Sequence, residues 1–168
     1  MATQSDHHAT LIAYAATARA VPPSQWNEPA TGGKWSPAQV TEHLRMTYTV
    51  VNAELEGGQG LRLRSSLWFR TFLRLVYLGK ILRTGMMPRG ALAPREVRPG
   101  PGPFDQELTI SAMEKAADSF ESKLAGREAV GGAVLTHHLF GRITGPKAWR
   151  FMAVHTEHHR RQLQGEAG

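Results

Sequence analysis

The chain has 168 residues, 41% of them hydrophobic, which is enough to bury a core within one domain without covalent staples. It contains no cysteine, so a disulfide framework, a thiolate zinc site and a thiol nucleophile of its own are excluded. The formal charge of +6 and the pI near 10.2 invite a nucleic-acid partner, but no RNA-binding aromatic motif or zinc-finger spacing accompanies them, and none is expected.

The first residues lack the basic region and unbroken apolar core of a signal peptide, because Asp6, His7 and His8 precede short apolar groups. The first helix is predicted from about Ser5 to Ala20. Leu11, Ile12, Ala15 and Ala18 fall at three- and four-residue steps, and Pro22-Pro23 ends it. His7 and His8 read as an exposed start. The stretch "PPSQWNEPATGGKW" is full of breakers and predicts a loop.

Ser36-Pro37-Ala38-Gln39 carries a capping-box signature with proline at the first helical position. The helix it opens should run to about Glu56 and end at Gly57-Gly58. Val40, His43, Leu44, Thr47, Val50 and Val51 line one side of it, so His43 points with the apolar stripe.

From Gly57 to Arg95 there is no Asp or Glu, while Arg62, Arg64, Arg70, Arg74, Lys80, Arg83, Arg89 and Arg95 accumulate. Such a run reads first as a solvated helix face with a loop. An anionic substrate, an acidic partner surface and a membrane headgroup layer are its other readings. Ser66 to about Arg83, with Trp68, Phe69, Phe72, Leu75, Val76 and Leu78, predicts an accessory helix. The cations at Arg70, Arg74 and Lys80 interrupt its apolar run, and no stretch reaches the roughly 20 apolar residues that span a bilayer. A soluble, cytoplasmic protein is expected. The apolar stripe of this helix is a candidate homodimer surface or packs on the core.

A crossover rich in proline and glycine, "TGMMPRGALAPREVRPGPGPFDQ", leads to a core helix from about Leu108 to Leu124. Ile110, Met113, Ala117, Phe120 and Leu124 are in register there, and Gly126 should stop it. A loop, "GREAVGGAVLTHHLFGRITG", precedes a last helix opened by Gly145-Pro146 and running to about Gln164. Ala148, Met152, His155, His159 and Leu163 share its inward stripe. Nothing alternates with period two for long enough to build a sheet. The expectation is a single all-α domain over residues 1–168, a four-helix bundle with a long crossover and an accessory helix.

His155 and His159 are four residues apart, which sets both imidazoles on one helix face. Neutral imidazole suits Zn, Ni or Fe, and three protein ligands with an open fourth position are the arrangement of catalytic zinc. His43 could be the third ligand if its helix adjoins the last one. Packing histidines are the alternative.

In their order, "GKWSPAQVTEHL", "HHLFGRITGPKAW" and "HTEHHRRQL" resemble the DinB-like superfamily of metal-binding four-helix-bundle proteins. Trp35, Ser36, Pro37, His43, His137, Phe140, Gly141, Thr144, His155, His159 and Gln162 carry the resemblance over nearly the whole chain. His138 departs from it, standing where the family loop usually has proline, and the basic segment with its crossover is longer than in short members. The resemblance implies an up-down-down-up bundle with one divalent ion on His43, His155 and His159. His158 would face away from the ion, and His137 would line the pocket mouth or pack its loop.

Such a site would activate an external low-molecular-weight thiol or water for transfer or hydrolysis on a small molecule. Arginines of the basic segment would hold a carboxylate of thiol or substrate. No catalytic residue beyond the ligands is assigned, and no organic cofactor is expected. Glu42 and Glu157 adjoin ligands in sequence, but one step along a helix turns them about 100° away; they read as exposed helix charge. A non-catalytic metal-binding, stress-related or interaction module is the alternative.

Overall fold

The computed structural model describes residues 3–59, 66–88, 92–129 and 134–165. They are mostly helical, with one small two-stranded sheet. Four long helices carry the core: α1 (Gln4–Arg19), α3 (Pro37–Leu55), α6 (Gln106–Ala129) and α7 (Gly145–Leu163). Between them lie the single turn α2 (Pro23–Trp26) and the segment α4 (Leu67–Leu73), which passes through a π-helical turn (Arg74–Leu78) into α5 (Gly79–Thr84). A 3₁₀ turn (Arg95–Val97) and the strands β1 (Val134–His137) and β2 (Gly141–Thr144) complete the chain.

The capping box at Ser36 forms as its sequence dictates. The Gln39 amide donates to Ser36 Oγ at 3.2 Å, and the Ser36 amide donates to Gln39 Oε1 at 3.1 Å. Gln39 Nε2 also donates to the Gly100 carbonyl at 3.0 Å, which fastens the start of α3 to the crossover. Thr3 and Asp6 make a second capping box at the start of α1.

α3 packs against α6, and α1 against α7; contacts of α1 with α6 and of α3 with α7 join the two pairs. The stripe Ile110, Met113, Ala117, Phe120 and Leu124 of α6 is fully buried, each of its larger side chains contributing about 1.5–3 kcal/mol. On α1 the buried stripe is His7, Leu11, Tyr14, Ala15 and Ala18. Ile12, expected inside, is exposed, because it lies one step around the helix from Leu11. The Tyr14 hydroxyl shares a hydrogen bond with Thr41 Oγ1 at 2.8 Å, joining α1 to α3.

Three departures from the sequence expectation have local causes. The breaker-rich stretch contains α2, whose Trp26 is buried and donates to the Phe104 carbonyl at 3.0 Å. α6 continues through Gly126, and Arg127 there donates to the Leu55 carbonyl at 2.8 Å, at the end of α3. That bond sits against the roughly 1 kcal/mol that an interior glycine costs a helix.

The third departure is the hairpin inside the stretch expected to be a loop. β1 and β2 pair antiparallel, Val134 with Thr144 through His137 with Gly141. Leu135 and Ile143 are buried, and Gly141 takes the positive φ of 68° that the tight turn requires. Glu54 of α3 accepts the Thr136 amide at 2.8 Å and also bonds its hydroxyl. Two four-residue strands are too short for an alternating pattern to stand out.

Candidate metal centre

α3 and α7 adjoin, so His43 meets His155 and His159. The ring centroids lie 5.4 Å apart for His43 and His155, 4.9 Å for His43 and His159, and 4.6 Å for His155 and His159. One ligand atom from each residue lies within 4.8 Å of the others. The group could hold a metal ion.

The hydrogen bonds behind the rings decide how the nitrogens face. His43 Nδ1 donates to the Val97 carbonyl at 2.7 Å, and His159 Nδ1 donates to Gln162 Oε1 at 2.6 Å. Both partners are oxygens that can only accept, so in the neutral rings the proton sits on Nδ1 and the Nε2 lone pair is available. His155 Nε2 stands 3.1 Å from His159 Nε2. Tetrahedral nitrogen ligands at about 2.0 Å from zinc lie about 3.3 Å apart, close to that separation.

His155 Nδ1 is buried and has no hydrogen-bond partner. If its proton is on Nδ1, two Nε2 lone pairs face each other across the short gap. A cation between them relieves this repulsion, as does the other His155 tautomer, whose Nε2–H donates to His159 Nε2.

All three rings are held neutral, as ligation requires. Burial is the main cause for each, pushing His43 below the ordinary histidine value and His155 and His159 well below it. The neighbouring rings add to it: His159 and His43 act on His155, and His43 and His158 on His159.

Aromatic rings border the cluster. Trp35 lies 5.0 Å from the His43 ring, and Phe151 stacks on His155 at 6.3 Å. Among the described residues no fourth His, Asp or Glu joins the three.

His137 packs the hairpin turn. It stacks on Phe140 at 4.5 Å, its Nδ1 accepts the Leu139 amide at 3.2 Å, and burial pushes its pKa down to about 3. His158 is half-buried, with Nε2 3.3 Å from Gln162 Nε2. Glu42 and Glu157 are half-buried rather than exposed, because arginines cover them. Arg45 pairs with Glu42 through two contacts of 2.7 Å, while Arg160 and Arg161 hold Glu157 at 2.7 Å and 2.9 Å.

The expectation for His7 is corrected. The ring is fully buried, with Nδ1 2.7 Å from Glu121 Oε1 and Nε2 2.8 Å from the Tyr48 hydroxyl, which in turn lies 2.7 Å from Thr156 Oγ1. The steps from His7 to Leu11, Tyr14 and Ala18 are helical and would have placed it inward. Its partner on α6 lies far along the chain and leaves no local trace. Exposed His8 reaches Glu121 Oε2 at 3.2 Å.

Of the basic segment, the 3₁₀ turn approaches α3. Arg95 and Arg98, both exposed, flank the Val97 whose carbonyl meets His43. A surface recess of about 520 Å³ lies elsewhere, between the end of α1, Gln25 and the end of α7, and includes none of the three histidines.

No helix among the described residues is long and apolar enough to cross a membrane. No curated protein and no solved structure matches the chain. Residues 6–166 match the family described as "Protein of unknown function (DUF1569)". With nearly its whole length covered and the histidine-bearing helices inside the matched span, the chain belongs to the DUF1569 family.

Proposed function

We propose that the protein is a metal-dependent enzyme of DinB-like type, whose four long helices form an up-down-down-up bundle holding one divalent ion, Zn, Ni or Fe, on His43, His155 and His159. The observation that carries this reading is the pair of hydrogen bonds, to the Val97 carbonyl and to Gln162, that put the proton of His43 and His159 on Nδ1 and leave each Nε2 a lone pair to offer an ion. Such fixing of the far nitrogen is how ligating histidines are held, and the ligand atoms of the three residues also converge within 4.8 Å, which a packing role does not require. A bound ion would lower the pKa of a thiol or water placed at the open position.

The chain's own residues favour the thiol. With no cysteine, the thiol must come from outside. Hydrolysis asks for a general base near the water, and the two carboxylates nearest in sequence, Glu42 and Glu157, are engaged by arginines. Trp35 and Phe151 limit water around the rings. Arg95, the last cation of the basic segment, and Arg98 just beyond it lie close to Val97 in the chain, and they would bind a carboxylate of thiol or substrate.

A second reading, a metal-binding module without turnover, is favoured by one observation: neither the recess at the end of α1 nor the one between Thr10, Thr84 and Arg161 includes a histidine of the group.

Metal content of tag-free protein, measured by mass spectrometry beside a His155→Ala, His159→Ala double variant, tests the site. Near-stoichiometric metal lost in the folded variant is the expected result; no metal in either, after incubation with excess divalent ions, refutes it. Metal-loaded protein with a low-molecular-weight thiol and a chromogenic aryl halide then separates the readings. Metal-dependent thioether formation supports the transferase, and silence across a thiol panel supports the module.

A further inference from the structure

We propose that the outward face of the segment Leu67–Thr84 is a docking surface for anionic membrane lipid. The segment runs through α4, the π-helical turn and α5. Its inward side is anchored, with Leu78 and Ile81 buried in the core and Leu73 and Leu82 packed against it. Among the described residues nothing covers its outward side. Trp68 is 88% exposed, Leu75 75% and Phe72 53%, with Val76 beside them.

The exposed positions follow one another at helical steps: Trp68, Phe72, Leu75 with Val76, then Lys80 and Arg83. The π-helical turn keeps them aligned, because its wider winding delays the rotation between Leu73 and Leu78, so that both stay inward while Leu75 and Val76 stay outward. The result is one stripe, apolar at its start and cationic at its end, since Lys80 and Arg83 are exposed. A patch of large apolar side chains with this exposure marks an interaction surface.

Charge decides the partner. No Asp or Glu occurs from Gly57 to Arg95. A second copy docked on this face by two-fold symmetry would bury Lys80 and Arg83 against cations or against apolar side chains, with no carboxylate of the segment to pair with them. A headgroup layer matches both halves of the stripe: a tryptophan and aliphatic side chains seat at the boundary with the acyl chains, and lysine and arginine meet the phosphates. The contact is peripheral, because no helix here is long and apolar enough to span. It is also independent of the histidine cluster, which belongs to α3 and α7.

Cosedimentation with vesicles of equimolar phosphatidylcholine and phosphatidylserine, against phosphatidylcholine alone, tests it, with gel filtration in the absence of lipid as a companion. The expected result is binding to the anionic vesicles only, weakened by salt. Partitioning should fall about tenfold or more in both Trp68→Ser, Phe72→Ser and Lys80→Glu, Arg83→Glu, with unchanged circular dichroism. Equal binding to both vesicles, binding retained in both variants, or no binding overturns the proposal. A dimer that the Trp68→Ser, Phe72→Ser change disperses, with no vesicle binding, gives the face to a second copy instead. Should the variants misfold, wild-type tryptophan emission decides: of the four tryptophans Trp68 is the exposed one, Trp26 and Trp149 being buried and Trp35 half-buried, so absence of quenching by brominated phosphatidylserine overturns the proposal.

Discussion

Gln162 stands behind His159, its Oε1 accepting the Nδ1–H at 2.6 Å from one turn further along α7. The bond fixes both the ring's orientation and its tautomer. Replacing Gln162 by Leu removes the acceptor and should weaken metal affinity about 10–100-fold, the usual effect of losing such a partner. Gln162→Glu, which keeps an acceptor in place, should retain most of it. Competition with a chelating dye measures both variants. Equal affinities for Leu and wild type would show that the bond does not serve ligation.

Acid should destabilise the metal-free chain through its buried histidines. His43, His137, His155 and His159 all have folded pKa values below the ordinary 6.5. Above that value neither state binds the protons and stability is intact. Below it the unfolded chain takes up protons that the folded chain refuses, and stability falls by about 1.4 kcal/mol per pH unit for each group. The loss for His137 continues toward its folded value of about 3. The urea midpoint should drop steadily below about pH 6.5, and His137→Asn, which keeps an acceptor for the Leu139 amide, should lessen the slope by up to one proton. An unchanged slope would mean that His137 titrates normally.

His7 and His8 are neighbours with opposite expectations. His7→Ala takes the buried partner from Glu121, which keeps exposed His8, and one of two partners from the Tyr48 hydroxyl, which keeps Thr156, and should cost about 1–3 kcal/mol in chemical denaturation. His8→Ala removes an exposed contact and should stay within about 0.5 kcal/mol. Similar small losses in both would show that the buried pair adds nothing to stability.

The hairpin depends on α3. Glu54→Ala takes away the acceptor of the Thr136 amide, at a cost of about 1–2 kcal/mol. Hydrogen exchange at that amide should accelerate while the α6 core stays protected. Unchanged exchange there would show that strand pairing alone protects the bond.

What the sequence made legible was whatever is encoded within one or two helical turns. Ser36 and Gln39 announce the start of α3, and the inward stripe from Val40 places His43. The four-residue step from His155 to His159 needs no tertiary knowledge. That these three meet depends on α3 adjoining α7, which no spacing reveals. Val97, the partner of His43, acts through its backbone carbonyl and carries no side-chain signature at all. His7 was concealed for another reason: helical steps would have placed it inward, but at the start of a terminal helix beside an exposed histidine it reads as solvated. Glu54 gave no sign of its strand contact, since a carboxylate near a helix end serves equally as surface charge. In α6, Gly126 signals an end, but the helix continues and the next residue, Arg127, bonds the Leu55 carbonyl.

The three histidines come from the second and the last of the four long helices, so an ion held between them would close most of the chain into a single loop. Binding energy at that point is folding energy, and the last helix would be buckled to the body of the protein by the ion as well as by its apolar side. Without the ion the last helix would be held by its apolar side alone, and the metal-free chain would unfold at a lower midpoint than the loaded one.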